Sequence, residues 1–107
     1  MSATRHPVNR GDLLPPRRRH AVAVHLHAAS THDQAADLHE AAANLQEEHA
    51  VEMREAGKEA SADRAERLAA RERQRASDQH TDADRERRRA DEVRDESHSQ
   101  AAPGWIQ

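Results

Sequence analysis

The sequence predicts an all-α fold: a long antiparallel two-helix hairpin of coiled-coil type, set between a disordered N-terminal arm and a flexible C-terminal tail. Three observations predict it. Alanine recurs every seventh residue in two series. The first is Ala21, Ala28, Ala35, Ala42 and Ala56, interrupted at His49; the second is Ala62, Ala69, Ala76, Ala83 and Ala90. A seven-residue repeat keeps one stripe of a helix turned toward one partner. Between the two series, Gly57 supplies a helix stop and Ser61 a helix start. The composition, rich in Ala, Glu, Arg, Asp and Gln, favours long helices, and with no Phe or Tyr it offers no aromatic core.

Residues 1–19 read as a basic arm. Pro7, Gly11, Pro15 and Pro16 break any helix there, and five arginines against Asp12 give it a charge of +4. The first helix is expected over 20–56. Thr31 and Gln34 fit a capping box, so 20–30 is either a separate short helical piece or a continuous extension. From 35 onward, Ala35, Leu38, Ala42, Leu45, His49, Met53 and Ala56 follow the 3,4 spacing of an apolar helix face. This helix is acidic, with seven carboxylates against Arg54 between 21 and 56. The turn is expected at 57–61, with Gly57 left-handed past the helix end and Ser61 capping the next helix. The second helix is expected over 62–96, a stretch without Gly or Pro. Its only large apolar residues are Leu68 and Val93, and oppositely charged side chains spaced three or four apart support it. Residues 97–107 form the tail, where Trp105 and Ile106 could anchor on a partner groove.

Folding the chain about residue 59 sets Ala56 against Ala62, His49 against Ala69, Ala42 against Ala76, Ala35 against Ala83 and Ala28 against Ala90. The expected interaction stripe therefore comprises Ala28, Ala35, Leu38, Ala42, Leu45, His49, Met53 and Ala56 on the first helix. On the second it comprises Ala62, Leu68, Ala69, Ala76, Ala83, Ala90 and Val93. Each helix would span about 54 Å at 1.5 Å per residue. The acidic first helix would lie against the arginine-bearing second. Leu, Ile, Val and Phe total only 12 of the 107 residues, so little core is available to one hairpin. That shortage predicts a homodimer or another protein partner.

Composition narrows the chemistry. The absence of cysteine removes disulfides and thiolate metal sites and fits a reducing, cytoplasmic setting. No apolar run approaches the ~20 residues of a membrane span. Arg17-Arg18-Arg19 before Ala21–Ala29 imitates an export signal, but His25 and His27 spoil the apolar stretch. Nucleophilic catalysis has no support: there is no Cys, no glycine-rich loop, and the serines lie at caps or in tails. The reading is of a non-enzyme without a cofactor.

Histidine is the one enriched reactive type, with nine copies. His25, His32 and His39 recur every seven residues beside the alanine stripe. Two turns separate neighbours by about 10.5 Å, too far to share a metal. No His–His pair has the i, i+3 or i+4 spacing of a helical zinc site, so no metal residue is assigned. A pH-responsive or metal-dependent module stays open as a third reading. His49, standing where alanine is expected, either fixes register or is a small packing defect. Arg17, Arg18 and Arg19 offer phosphate contacts, which makes a nucleic-acid or polyanion tether the alternative. The matching run Arg87-Arg88-Arg89 is surrounded by acids, and no stacking aromatic accompanies either run.

The stretch His32-Asp33-Gln34-Ala35-Ala36-Asp37-Leu38-His39-Glu40-Ala41-Ala42 resembles the His/Ala/Glu-rich helices of small uncharacterised proteins of high-GC actinobacteria. Arg64-Ala65-Glu66-Arg67-Leu68-Ala69-Ala70-Arg71-Glu72-Arg73 is similar to their arginine-rich second helix. The resemblance covers roughly residues 30–93 and implies a helical fold. It carries over no activity. The expectation is a non-enzymatic helical interaction module that self-associates through its Ala/Leu stripe.

Overall fold

The computed structural model describes the backbone of residues 14–100 and the side chains of 14–96. Two helices make up the fold, α1 (Pro16–Glu55) and α2 (Glu59–Gln100), packed antiparallel as a hairpin. Most of the expected N-terminal arm, residues 1–13, and residues 101–107 of the expected tail, with Trp105, lie outside the described residues, whereas 97–100 of that tail continue α2.

The first helix is continuous and starts earlier than the sequence reading places it. Prolines that break a helix interior are tolerated in its first turn, where their missing N–H groups have no partner to lose. Pro15 is extended at φ −55° and ψ 149°, Pro16 opens the helix, and the Pro15 carbonyl accepts from the amides of Arg18 and Arg19. Thr31 starts no new helix; its hydroxyl donates back to the His27 carbonyl at 3.1 Å. Arg17, Arg18 and Arg19 are therefore first-turn helical residues rather than part of an irregular arm. Arg18 reaches Glu96 at 3.7 Å across the open end of the hairpin.

The turn closes more tightly than residues 57–61. Gly57 stands at φ +75°, the left-handed conformation that glycine reaches without a Cβ penalty. Its amide donates to the Arg54 carbonyl at 3.0 Å, and the Lys58 amide donates to the Met53 carbonyl at 2.8 Å. These two bonds make a complete Schellman C-cap. The Lys58 carbonyl already accepts the Ala62 amide, so α2 begins at Glu59, an acid well placed at the positive end of the helix dipole. Ser61 consequently lies inside the first turn of α2 instead of capping it, and its hydroxyl accepts from Arg64.

Alanine lines the seam between the helices. On α1 the buried residues are Val22, Ala29, Ala36, Ala43 and Ala50; on α2 they are Ala62, Ala65, Ala69, Ala76, Ala83 and Ala90. Apart from Ala65, each set steps by seven. Labelling these positions a, the residues three further on take position d and complete the seam. At the open end, where the helices carry larger side chains, Leu14, Val22 and Ala90 cluster with Val93 packed on them.

The register differs from the fold-back about residue 59. Across the seam His25 pairs with Glu86, His32 with Gln79 and His39 with Glu72. Each pair centres between residues 55 and 56, three to four residues before the expected fold-back point. On α1 the seam uses the alanines one residue beyond the expected series, and the pairings of Ala42 with Ala76 or Ala28 with Ala90 give way to this arrangement.

Candidate interaction surfaces

Away from the turn end and Val93, position d of the seam is polar: His25, His32, His39 and Gln46 on α1, and Glu72, Gln79 and Glu86 on α2. His25 Nδ1 donates to Glu86 Oε2 at 2.7 Å, His32 Nδ1 to Gln79 Oε1 at 2.6 Å, and His39 Nδ1 to Glu72 Oε2 at 2.6 Å. These rungs alternate with alanine layers. The alanines bring the backbones close, and each imidazole then spans the gap to one acceptor. His25 hydrogen-bonds to Glu86, which holds that carboxyl below its ordinary value, with Arg89 beside it adding to the effect. His39 does the same for Glu72, helped by Arg75.

A second ladder runs along one edge of the seam. Asp33, Glu40, Glu47 and Arg54 are seven apart on α1, and they meet Arg87, His80, Arg73 and Glu66, seven apart in reverse on α2. Glu47 and Arg73 approach to 2.6 Å, and Arg54 and Glu66 to 2.5 Å. The sign of the pair inverts at Arg54, where the guanidinium also meets Glu59 at 2.5 Å and Asp63 at 3.5 Å. Asp33 is held below its ordinary value chiefly by its hydrogen bond to Arg87. His80 sits between two carboxylates, Nε2 at 3.3 Å from Glu40 and Nδ1 at 3.3 Å from Asp33. Both nitrogens donate only when the ring is doubly protonated, so hydrogen bonds to Glu40 and Asp33 push the His80 pKa up.

The sequence-predicted stripe divides between two surfaces. Its α2 members Ala62, Ala69, Ala76, Ala83 and Ala90 are buried in the seam and Val93 lies at its end, while Leu68 is exposed. Its α1 members are elsewhere. Ala28, Ala35 and Ala42 are half-buried along the seam's other edge, Met53 is half-buried near the turn, and His49 and Ala56 are exposed. Leu38 and Leu45 point to solvent at 73% and 66% exposure. Val24, two heptads before Leu38 with Thr31 between them, is 50% exposed. Together Val24, Ala28, Ala35, Leu38, Ala42 and Leu45 make a second apolar stripe on α1, outside the hairpin seam. Leu68 continues it onto α2, where a shallow groove is lined by Gln46, His49, Ser61, Arg64, Ala65 and Leu68.

The histidine row is legible in the sequence, but its partners Glu72, Gln79 and Glu86, and the bridging role of His80, are not singled out there. Their signal is present: 72, 79 and 86 repeat every seven residues on α2 in step with Ala69, Ala76 and Ala83. Among the described residues, no three His, Asp or Glu side chains converge on a point that could hold a metal ion, and no helix is long and apolar enough to cross a membrane. Comparison with family models, curated proteins and solved structures found no match.

Proposed function

We propose that the protein is a non-enzymatic helical interaction module, set in the cytoplasm, that self-associates through the second apolar stripe of α1. One observation carries this reading. The hairpin seam buries alanine and leaves two leucines of α1 outside, at 73% exposure for Leu38 and 66% for Leu45. Leucine is a strong helix former but gives no stability when left in water, and aligned exposed apolar residues on a helix mark a contact face. The polar groups of the seam are engaged with one another, as interhelical hydrogen bonds and ion pairs that fix the register of the hairpin. The reading of Arg17, Arg18 and Arg19 as a polyanion tether has less behind it, because Arg18 is engaged with Glu96 and all three lie in the first turn of α1.

Sedimentation equilibrium across a dilution series tests the proposal. The wild-type chain dimerises, and Leu38→Glu with Leu45→Glu makes it monomeric while far-ultraviolet circular dichroism stays helical. A wild-type chain that stays monomeric at millimolar concentration contradicts it.

A further inference from the structure

The broad face opposite the ion ladder is self-complementary near the turn. Its middle is formed by Ala42 and His49 of α1 and by Ser61 and Leu68 of α2, with Leu38 and Leu45 along the α1 side. Beyond them the α1 flank carries Glu48, Glu52 and Glu55, and the α2 flank carries Arg64, Arg67 and Arg71, all exposed. None of these six has an ion-pair partner among the described residues; Arg64 donates only to the Ser61 hydroxyl. The opposite charges of the same stretches are engaged elsewhere. Arg54 is held at the ladder edge with Asp63 and Glu66, and Glu72 lies in the seam with His39. The face therefore runs from an acidic flank through an apolar middle to a basic flank, and the two flanks turn outward on opposite sides of the hairpin.

We infer that the occupant of this face is a second copy of the chain, related by a two-fold axis running along the hairpin, so that α1 of each copy lies antiparallel on α2 of the other. The inference rests on the reading of the α1 stripe as an interface and adds its partner and orientation. Such an axis keeps every residue at its own level, and the rungs His25–Glu86, His32–Gln79 and His39–Glu72 fix those levels. Leu45 of one copy then comes between Arg64 and Leu68 of the second copy, and Ala42 faces Leu68. Leu38 comes between Arg71 and Arg75, on their aliphatic stems. Glu48 lies within a residue of the level of Arg64 of the second copy, and Glu52 within a residue of that of Lys58. Symmetry makes each of these contacts twice, acidic flank on basic flank. A two-fold axis across the hairpin would instead stack α1 on α1 and α2 on α2, setting acids over acids and arginines over arginines wherever the turn halves overlap. Toward the open end the α2 edge continues with Arg75, Asp82 and Arg89, so the apolar contact belongs to the turn half.

Sedimentation equilibrium of charge variants tests the arrangement. Glu48→Arg and Arg64→Glu each weaken the dimer about tenfold, because each puts two like-charged pairs into the contact. An equimolar mixture of the two variants associates at close to the wild-type affinity, since both pairs of the mixed dimer are again opposite in sign. Both side chains are exposed, and circular dichroism of each variant shows that the helices persist. A wild-type dimer that either reversal leaves intact, or a mixture that associates no better than the separate variants, overturns the arrangement and leaves self-association standing. A wild type that stays monomeric at millimolar concentration overturns both and leaves the face to a different protein.

Discussion

His39 and Glu72 meet across the seam at 2.6 Å, Nδ1 to Oε2, and the same contact recurs two heptads away between His25 and Glu86 at 2.7 Å. A hairpin whose seam alternates alanine with imidazole–carboxylate rungs ties its stability to protonation. His80, bridging Glu40 and Asp33, has its pKa raised above the ordinary 6.5. Its stabilising effect is complete below 6.5 and fades as pH rises through the raised value. Glu72 and Glu86 are lowered from the ordinary 4.5, and Asp33 from 3.8. Their effect is complete above those ordinary values and fades as pH falls through the lowered ones. The urea midpoint of the hairpin is therefore highest in mildly acidic solution, between roughly pH 5 and 6.5, and declines on either side. Circular dichroism titrations at half-unit pH steps check this. In His80→Gln the alkaline decline is weaker, whereas a midpoint that climbs steadily from pH 6 to 8 in the wild type excludes the linkage.

Size tolerance separates the seam from the outer stripe. Ala43 is fully buried between the helices, so Ala43→Leu forces them apart and costs about 1–3 kcal/mol. Leu38 is 73% exposed, so Leu38→Ala changes the stability of the isolated hairpin by less than about 0.5 kcal/mol. The comparison is made by urea denaturation at a concentration where sedimentation shows monomer. An equal loss in both variants would place Leu38 in the seam.

These contrasts explain what the sequence reveals and what it hides. The hairpin itself is legible, because Gly57 marks the stop and alanine repeats every seven residues on both sides of it. The face of α2 is legible too, since Ala62, Ala69, Ala76, Ala83 and Ala90 have few alanine neighbours to compete with them. On α1 the alanines come in adjacent groups, Ala28-Ala29, Ala35-Ala36 and Ala41-Ala42-Ala43. Hydrophobic spacing alone selects the set aligned with Leu38 and Leu45. The structure selects the set one residue on, because only that choice turns Asp33, Glu40 and Glu47 toward Arg87, His80 and Arg73 and sets the histidines at position d. The deciding information is a pairing between two helices, and no pattern within one helix contains it. The N-terminal boundary is hidden for a different reason: Pro15-Pro16 reads as a breaker, yet proline also opens helices.

Gly57 supplies the third prediction. A Cβ built there meets nothing within 4 Å, so Gly57→Ala pays for backbone strain at φ +75° and not for a clash. Left-handed conformation costs an ordinary residue about 1–2 kcal/mol, and the Schellman bonds from Gly57 to Arg54 and from Lys58 to Met53 hold the chain in it. Gly57→Ala lowers the unfolding free energy by about that amount, and Gly57→Asn lowers it less, since asparagine tolerates this region better. Denaturant titrations of the three proteins give the order. Equal stability of all three would mean that the turn relaxes away from this conformation.

The ion ladder at the seam's edge sets register through pairs, and a charge swap exposes this. Glu47 and Arg73 lie 2.6 Å apart, each about half exposed. Glu47→Arg alone places two guanidiniums together beside Asn44, which already accepts from Arg73. Arg73→Glu alone does the same with two carboxylates. Each single reversal destabilises the hairpin, and the double swap recovers most of the loss, with a coupling of about 0.2–1 kcal/mol as expected for an exposed pair. The coupling shrinks at 1 M salt, where screening acts within about 3 Å. Four proteins and one denaturation series in low and high salt complete the cycle. Strictly additive effects in low salt would show that Glu47 and Arg73 do not sense each other and that the alanine seam alone sets the register.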